Sequence, residues 1–155
     1  SPGNKAGGLT TLEEKSLGCI HKGGHHPVEE VYDYAKQMEY GKGLVIMDTP
    51  GNDPSSVAGM AAGGCQLVLF STGRGTPTGN PIAPVIKLTA NPSTYGKMKD
   101  NIDVDSSILL EHPEKMDEVA DALVAEIIDF ANGKATKSES LGFYELAIAR
   151  VCNYV

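Results

Sequence analysis

The chain has 155 residues, a formal net charge of −7, and 41% apolar and 21% charged residues. This size and composition suit one globular domain with an ordinary core, so residues 1–155 are predicted to form a single domain. The acidic charge disfavours a nucleic-acid or anionic-membrane surface, and no apolar stretch approaches the ~18 residues of a membrane span.

The chain is predicted to begin with two helices. Thr10 and Thr11 offer an N-cap for a helix over 10–22, and Gly23-Gly24 ends it. A second helix is predicted from Pro27, since apolar residues recur at helical spacing as far as Met38.

A strand, a short helix and a strand are predicted over 43–71. The apolar run 43–48 is typical of a buried parallel strand. Asp53 can cap a helix that carries Pro54 in its first turn, and 66–71 is the next buried strand. A crossover of this kind is expected to be right-handed, with the two strands parallel.

The second half adds a third strand at 84–89, after a long loop at 72–83, and a short strand at 102–105. The clearest helix is 114–132, with an apolar stripe opposite a solvated acidic face. The tail 139–150 fits a short helical or an extended segment equally well. The predicted fold class is α/β, an open three-layer, mostly parallel sheet of about four strands flanked by helices, Rossmann-like in layout.

Three polar loops follow predicted strands, at 48–53, 71–77 and 89–92. Because the carboxyl ends of parallel strands share one edge, a ligand is expected there. In the second loop, Arg74 between two glycines can hold a carboxylate bidentately. The alternative is a flexible loop with a solvated arginine.

The first of these loops has two interpretations. Its backbone amides can hold an anion at a helix start, and its acids can bind a metal or serve as a base. For Asp53 alone, an Asx-turn and helix cap is the preferred interpretation.

Cysteines and histidines raise the question of a metal site. Cys19 and three histidines crowd into eight residues, yet their spacing matches no strong zinc signature. A surface histidine loop with a buried helix cysteine is therefore preferred. The three cysteines form no disulfide pattern, and the chain start lacks a signal peptide's apolar core, so a cytoplasmic location is expected.

Four strings of the sequence resemble the C-terminal part of the altronate/galactarate dehydratase family. They are residues 1–19, Pro50-Gly51-Asn52-Asp53, the run from Leu69 to Pro77, and Phe130-Ala131-Asn132-Gly133. The resemblance covers nearly the whole chain. It implies a C-terminal fragment of a longer enzyme, inactive alone, whose upstream domain is its partner.

The resemblance implies loss of water from a small hydroxy-acid substrate to give a 2-keto-3-deoxy acid. It also implies a divalent metal, iron(II), bound mainly by the upstream part. The residues that would bind substrate are Asn52, Ser71, Thr72, Gly73, Arg74 and Thr76. Asp53 and Lys22 are candidates for catalysis, and Cys19 and Asp48 are candidates for the metal.

Two departures from the family pattern matter. His21 stands where glutamine is common, so no metal role is carried over to it. The segment 78–84 differs from the sugar-acid type, which leaves the substrate open. The sulfolactate sulfo-lyase large subunit is a relative and gives one alternative. A non-catalytic docking domain is another, and a homo-oligomer stays open.

Overall fold

The computed structural model describes residues 5–6, 8–39, 41 and 43–147. The chain divides into two compact units. The N-terminal unit comprises 1–31 and 41–46, and the main unit comprises 32–40 and 47–155. The prediction of one domain over 1–155 stays a prediction.

The N-terminal unit contains helix α1, Leu12–Lys22, and most of a two-stranded sheet formed by β1, Val28–Tyr32, and β2, Leu44–Met47. The predicted first helix is confirmed. Its N-cap is Thr11, whose side chain accepts from the Glu14 amide at 3.1 Å. The Glu14 carboxylate in turn accepts from the Thr10 amide at 2.7 Å.

The helix predicted from Pro27 is wrong. Val28 and Val31 are β-branched and favour a strand, and this segment pairs with β2 instead of coiling. Ala35 then takes a φ of 60°, which a right-handed helix does not accommodate. The apolar spacing that predicted a helix therefore describes a strand followed by a turn.

The main unit carries a three-stranded sheet in the order β3-β4-β5, and both strand pairs are parallel. Val68 lies opposite Val85, and Leu88 lies opposite Val104. The elements are α2 (Asp53–Ala62), β3 (Val68–Ser71), β4 (Val85–Thr89), α3 (Pro92–Lys97), β5 (Val104–Asp105), 3₁₀ turns at Ser107–Leu110 and Pro113–Lys115, α4 (Met116–Ala131) and α5 (Lys137–Leu141).

The α/β class with parallel strands and flanking helices is confirmed, but two strand predictions are not. Strand β2 pairs with β1, whereas β3 pairs with β4, so the run 43–48 does not share a sheet with 66–71. Residues of β2 alternate between exposed and half-buried, so β2 is not a strand buried on both faces.

The core of the main unit packs α2 against the sheet. Its buried members are Val57, Ala61, Val68, Ala83 and Val85. Central strand β4 is the most buried strand, since four of its five residues are buried. The core therefore fixes β3 and β4, whose carboxyl ends carry the candidate loops.

Helix α4 confirms the helix predicted over 114–132, but the apolar stripe of this helix is largely not buried. Phe130 is its one buried residue, while Met116, Val124 and Ile128 are each more than half exposed. Helix α5 covers the start of the undecided tail, and residues 143–147 follow without helix or strand. None of the helices in the described part of the chain is long and apolar enough to cross a membrane.

Candidate functional site

The loop after β3 is tied to the neighbouring strand. Ser71 ends β3, and the Thr72 amide donates to the Leu88 carbonyl of β4 at 3.0 Å. The Thr72 hydroxyl accepts from the Gly75 amide at 3.0 Å, which closes a tight turn around Arg74. Thr72 therefore shapes the loop as well as lying at the sheet edge.

The loop is tied a second time by residues that follow β4. The Gly73 carbonyl accepts from Thr94 Oγ1 at 2.8 Å and from Asn91 Nδ2 at 3.3 Å. The second and third polar loops predicted from the sequence thus meet at the carboxyl edge of one parallel sheet. Asn91 and Thr94 were not among the predicted site residues, although Asn91-Pro92 is a recognisable helix start.

Arg74 lies exposed between these two anchors. Its guanidinium makes no hydrogen bond or salt bridge with any described residue. An added Cβ at Gly73 would meet nothing within 4 Å, so the approach to Arg74 is open on that side. Two hydrogen-bonded anchors hold the backbone on either side of Arg74, and its guanidinium is a planar fork of donors open to solvent.

Thr76 is placed differently from the expectation of a substrate contact. It is buried, and its hydroxyl lies 2.8 Å from that of Thr78. The Thr78 amide also donates to Thr76 Oγ1, at 3.3 Å. In this conformation Thr76 supports the loop and does not offer a free hydroxyl.

Lys87 is a residue that the sequence reasoning missed. It lies at the middle of β4 with its side chain 0% exposed, and Nζ donates to the Thr78 carbonyl at 3.2 Å. Burial lowers the pKa of the Lys87 ammonium, and the nearby Asp103 and Glu145 carboxylates oppose that shift. A lysine inside the apolar run Pro84–Leu88 was the available signal.

The polar side chains of the loop at 48–53 hydrogen-bond mainly to residues at the start of α2. Asn52, not Asp53, is the N-cap, and its Oδ1 accepts from the Ser55 amide at 3.2 Å and hydroxyl at 2.9 Å. Asp48 and Asp53 are exposed. Among described residues, no hydrogen bond joins 48–53 to 71–79. The structure therefore brings two of the three loops into direct contact.

Cys19 and Lys22 lie on α1 in the N-terminal unit, and both are exposed. The expected buried helix cysteine is thus wrong for Cys19, because no residue of α1 is buried. The histidines at 21, 25 and 26 are exposed, as predicted. Cys65 is half-buried, and burial raises the pKa of its thiol.

A metal site needs several His, Cys, Asp or Glu side chains close together. Within them, no group of three or more His, Cys, Asp or Glu side chains is close enough to hold a metal ion. Cys19 and Asp48 accordingly do not form such a group with described neighbours. This donor set does not fit a metal centre built by these residues alone.

The geometry defines an α/β domain that presents an anchored arginine loop at the carboxyl edge of a parallel sheet. Residues 1–153 match the family model described as D-galactarate/altronate dehydratase, C-terminal. The chain belongs to this family.

Three relatives illustrate the match. The chain is 45% identical to an altronate dehydratase of Escherichia coli and 42% identical to one of Bacillus subtilis, in both cases over 96% of this chain and 29% of the relative. It is 43% identical to a (2R)-sulfolactate sulfo-lyase subunit beta of Chromohalobacter salexigens, over 96% of this chain and 38% of the relative. The chain therefore spans less than half the length of these relatives.

Proposed function

We propose that this chain forms the substrate-side part of a hydro-lyase that dehydrates a sugar acid of the altronate or galactarate type to a 2-keto-3-deoxy acid. The observation that carries the proposal is the exposed Arg74 guanidinium on a loop anchored through Gly73 and Gly75. Family membership supports the reaction class, since two relatives are named altronate dehydratase.

Dehydration removes the proton next to the carboxylate and the β-hydroxyl, which together leave as water. As the proton leaves, negative charge builds up on the carboxylate oxygens. A guanidinium already aimed at those oxygens stabilises the resulting enediolate without reorganising. Arg74 has this role in the proposal, and the Gly73 amide and Ser71 hydroxyl bind substrate hydroxyls nearby. Asn52, in the loop at 48–53, completes the proposed substrate contacts.

The remainder of the reaction is assigned to a longer polypeptide. The altronate dehydratase relatives are covered over 29% of their length, so a larger enzyme is part of the proposal. Its upstream domain would hold iron(II), whose chemistry is to polarise substrate oxygens. Asp53 and Lys22 stay candidates for proton transfer. The free thiols Cys19 and Cys65 support a cytoplasmic location.

A sulfo-lyase is the second candidate, because one relative at 43% identity is named (2R)-sulfolactate sulfo-lyase subunit beta. The leaving group would then be sulfite instead of water, and Arg74 would bind the carboxylate in the same way. The full-length enzyme should be given altronate, galactarate and sulfolactate in turn. Keto acid without sulfite from a sugar acid supports the dehydratase, and sulfite supports the alternative.

Arg74→Ala in the full-length enzyme is the residue-level test. A bidentate charged hydrogen bond contributes about 1.5–3 kcal/mol, so kcat/KM for the acid should fall ~10–100-fold. Arg74→Lys keeps the charge but loses the fork and should recover only part of the loss. Lys97→Ala, which removes an exposed cation from α3, is the matched control. Unchanged kcat/KM in Arg74→Ala would refute the carboxylate assignment.

A further inference from the structure

One peptide group of the site loop is held between two opposite charges. Lys87 Nζ donates to the carbonyl of Thr78 at 3.2 Å, and the amide of Gly79 donates to Glu145 Oε2 at 2.8 Å. These two atoms belong to the same Thr78–Gly79 peptide bond. Because that bond is planar and conjugated, an ammonium at its oxygen and a carboxylate at its N–H polarise it in the same direction.

The burial of Lys87 costs folding free energy. Its side chain is 0% exposed, and no described carboxylate lies within salt-bridge distance of it. A buried ammonium without a direct counter-charge is unfavourable, and an apolar side chain would avoid the cost. The bridged Glu145 carboxylate offsets part of this cost through the peptide that lies between them.

The Thr78–Gly79 peptide is also tightly packed against the chain segment that follows α5. A Cβ added at Gly79 would lie 1.9 Å from the Phe143 carbonyl oxygen, so only glycine fits. Thr76, Thr78 and Asn80 are buried around it, whereas Gly73 and Arg74, a few residues earlier, are exposed. The loop thus has an exposed half, which carries the Arg74 guanidinium, and a buried half, which packs against the segment that follows α5.

We propose that Lys87 and Glu145 act as a pair of positioning residues that fix the Thr78–Gly79 peptide and so hold Arg74 in place for the substrate carboxylate. The role of Arg74 in this statement rests on the proposed function. The inference also makes the segment at 143–145 part of the support of the site.

The test uses the full-length enzyme with altronate or galactarate, whichever it turns over better. Glu145→Ala removes the acceptor of the Gly79 amide, so kcat/KM should fall about tenfold. Glu145→Gln keeps a carbonyl acceptor and should recover most of the loss in kcat/KM. Glu118→Ala, an exposed acid on α4, is the matched control.

A second readout does not depend on catalysis. Hydrogen exchange of the Gly75 amide, which Thr72 Oγ1 protects, should be about tenfold faster in Glu145→Ala. Unchanged exchange overturns the inference even if turnover falls. Faster exchange with unchanged kcat/KM overturns the link to the substrate carboxylate. If wild-type enzyme turns over neither sugar acid, the proposed function fails, and exchange alone decides whether the pair fixes the loop.

A double-mutant cycle tests the pairing itself. If both residues act through one peptide, Lys87→Met in the Glu145→Ala background should change Gly75 exchange by much less than it does alone. Additive effects would overturn the pairing. If Lys87→Met fails to fold, the Glu145 variants still decide whether the contact with the Thr78–Gly79 peptide holds the loop.

Discussion

Gly75 shows how a single residue sets the conformation of the arginine loop. Its φ is +85°, a left-handed value that residues with a Cβ adopt at a cost of about 1–2 kcal/mol. A Cβ there would also lie 2.2 Å from Met98 Sδ and 3.2 Å from Thr94 Cγ2. The backbone turn at Gly75 and the Thr94 anchor therefore depend on the absence of a side chain.

Gly75→Ala is accordingly expected to lower the free energy of unfolding by about 1–2 kcal/mol. Gly73→Ala is the matched control, since a Cβ at that position meets nothing within 4 Å and should change stability by less than about 1 kcal/mol. Urea unfolding followed by circular dichroism measures both. Equal effects of the two substitutions would show that the left-handed turn is not what the loop requires.

At the scale of elements, Asp103 joins the central strand to a helix. Its Oδ2 accepts from the Lys87 amide of β4 and its Oδ1 from the Lys137 amide at the start of α5, both at 2.8 Å. Asn in its place keeps the shape but presents an N–H to one of these two N–H groups. Asp103→Asn should therefore cost about 1–3 kcal/mol. Asp100→Asn, in the exposed turn just before it, should leave the urea midpoint unchanged, and a small effect at Asp103 would contradict the bridge.

Some elements of the fold are predictable from the local sequence, and others are not. Helices α1 and α2 begin at residues whose side chains cap them, and α4 keeps one apolar stripe, so local chemistry predicts all three. Residues 27–38 mislead, because Val28, Val31 and Tyr32 satisfy helical spacing while their pairing with β2 makes a strand. Strand pairing is a tertiary property that spacing alone does not contain.

The sequence likewise predicts one part of the candidate site and not the other. Arg74 and the loop edge follow from a glycine-rich segment after an apolar strand, and the structure confirms that the loops after β3 and β4 meet. The supporting contacts were beyond sequence reasoning because they join distant residues. Gly79 and Glu145, for example, are 66 positions apart. A lysine in a buried strand indicates that its ammonium has a hydrogen-bond partner, but it does not indicate which residue that partner is.

At the scale of the whole molecule, the two units differ in how many buried side chains stabilise each of them internally. No described residue of the N-terminal unit is buried, and Leu12, Leu17 and Ile20 on α1 are each more than 60% exposed. The main unit holds the packed core around β4. A helix of 11 residues without buried side chains is marginal by itself, because helices in proteins are stabilised mainly by tertiary packing.

This chain should therefore open locally long before it unfolds globally. We expect α1 amides to exchange roughly a hundredfold or more faster than those of Val85–Thr89, a difference of about 3 kcal/mol in opening free energy. Hydrogen exchange by mass spectrometry at neutral pH measures both segments in one sample. Equal protection of α1 and β4 would mean that α1 shares the cooperative unit of the core.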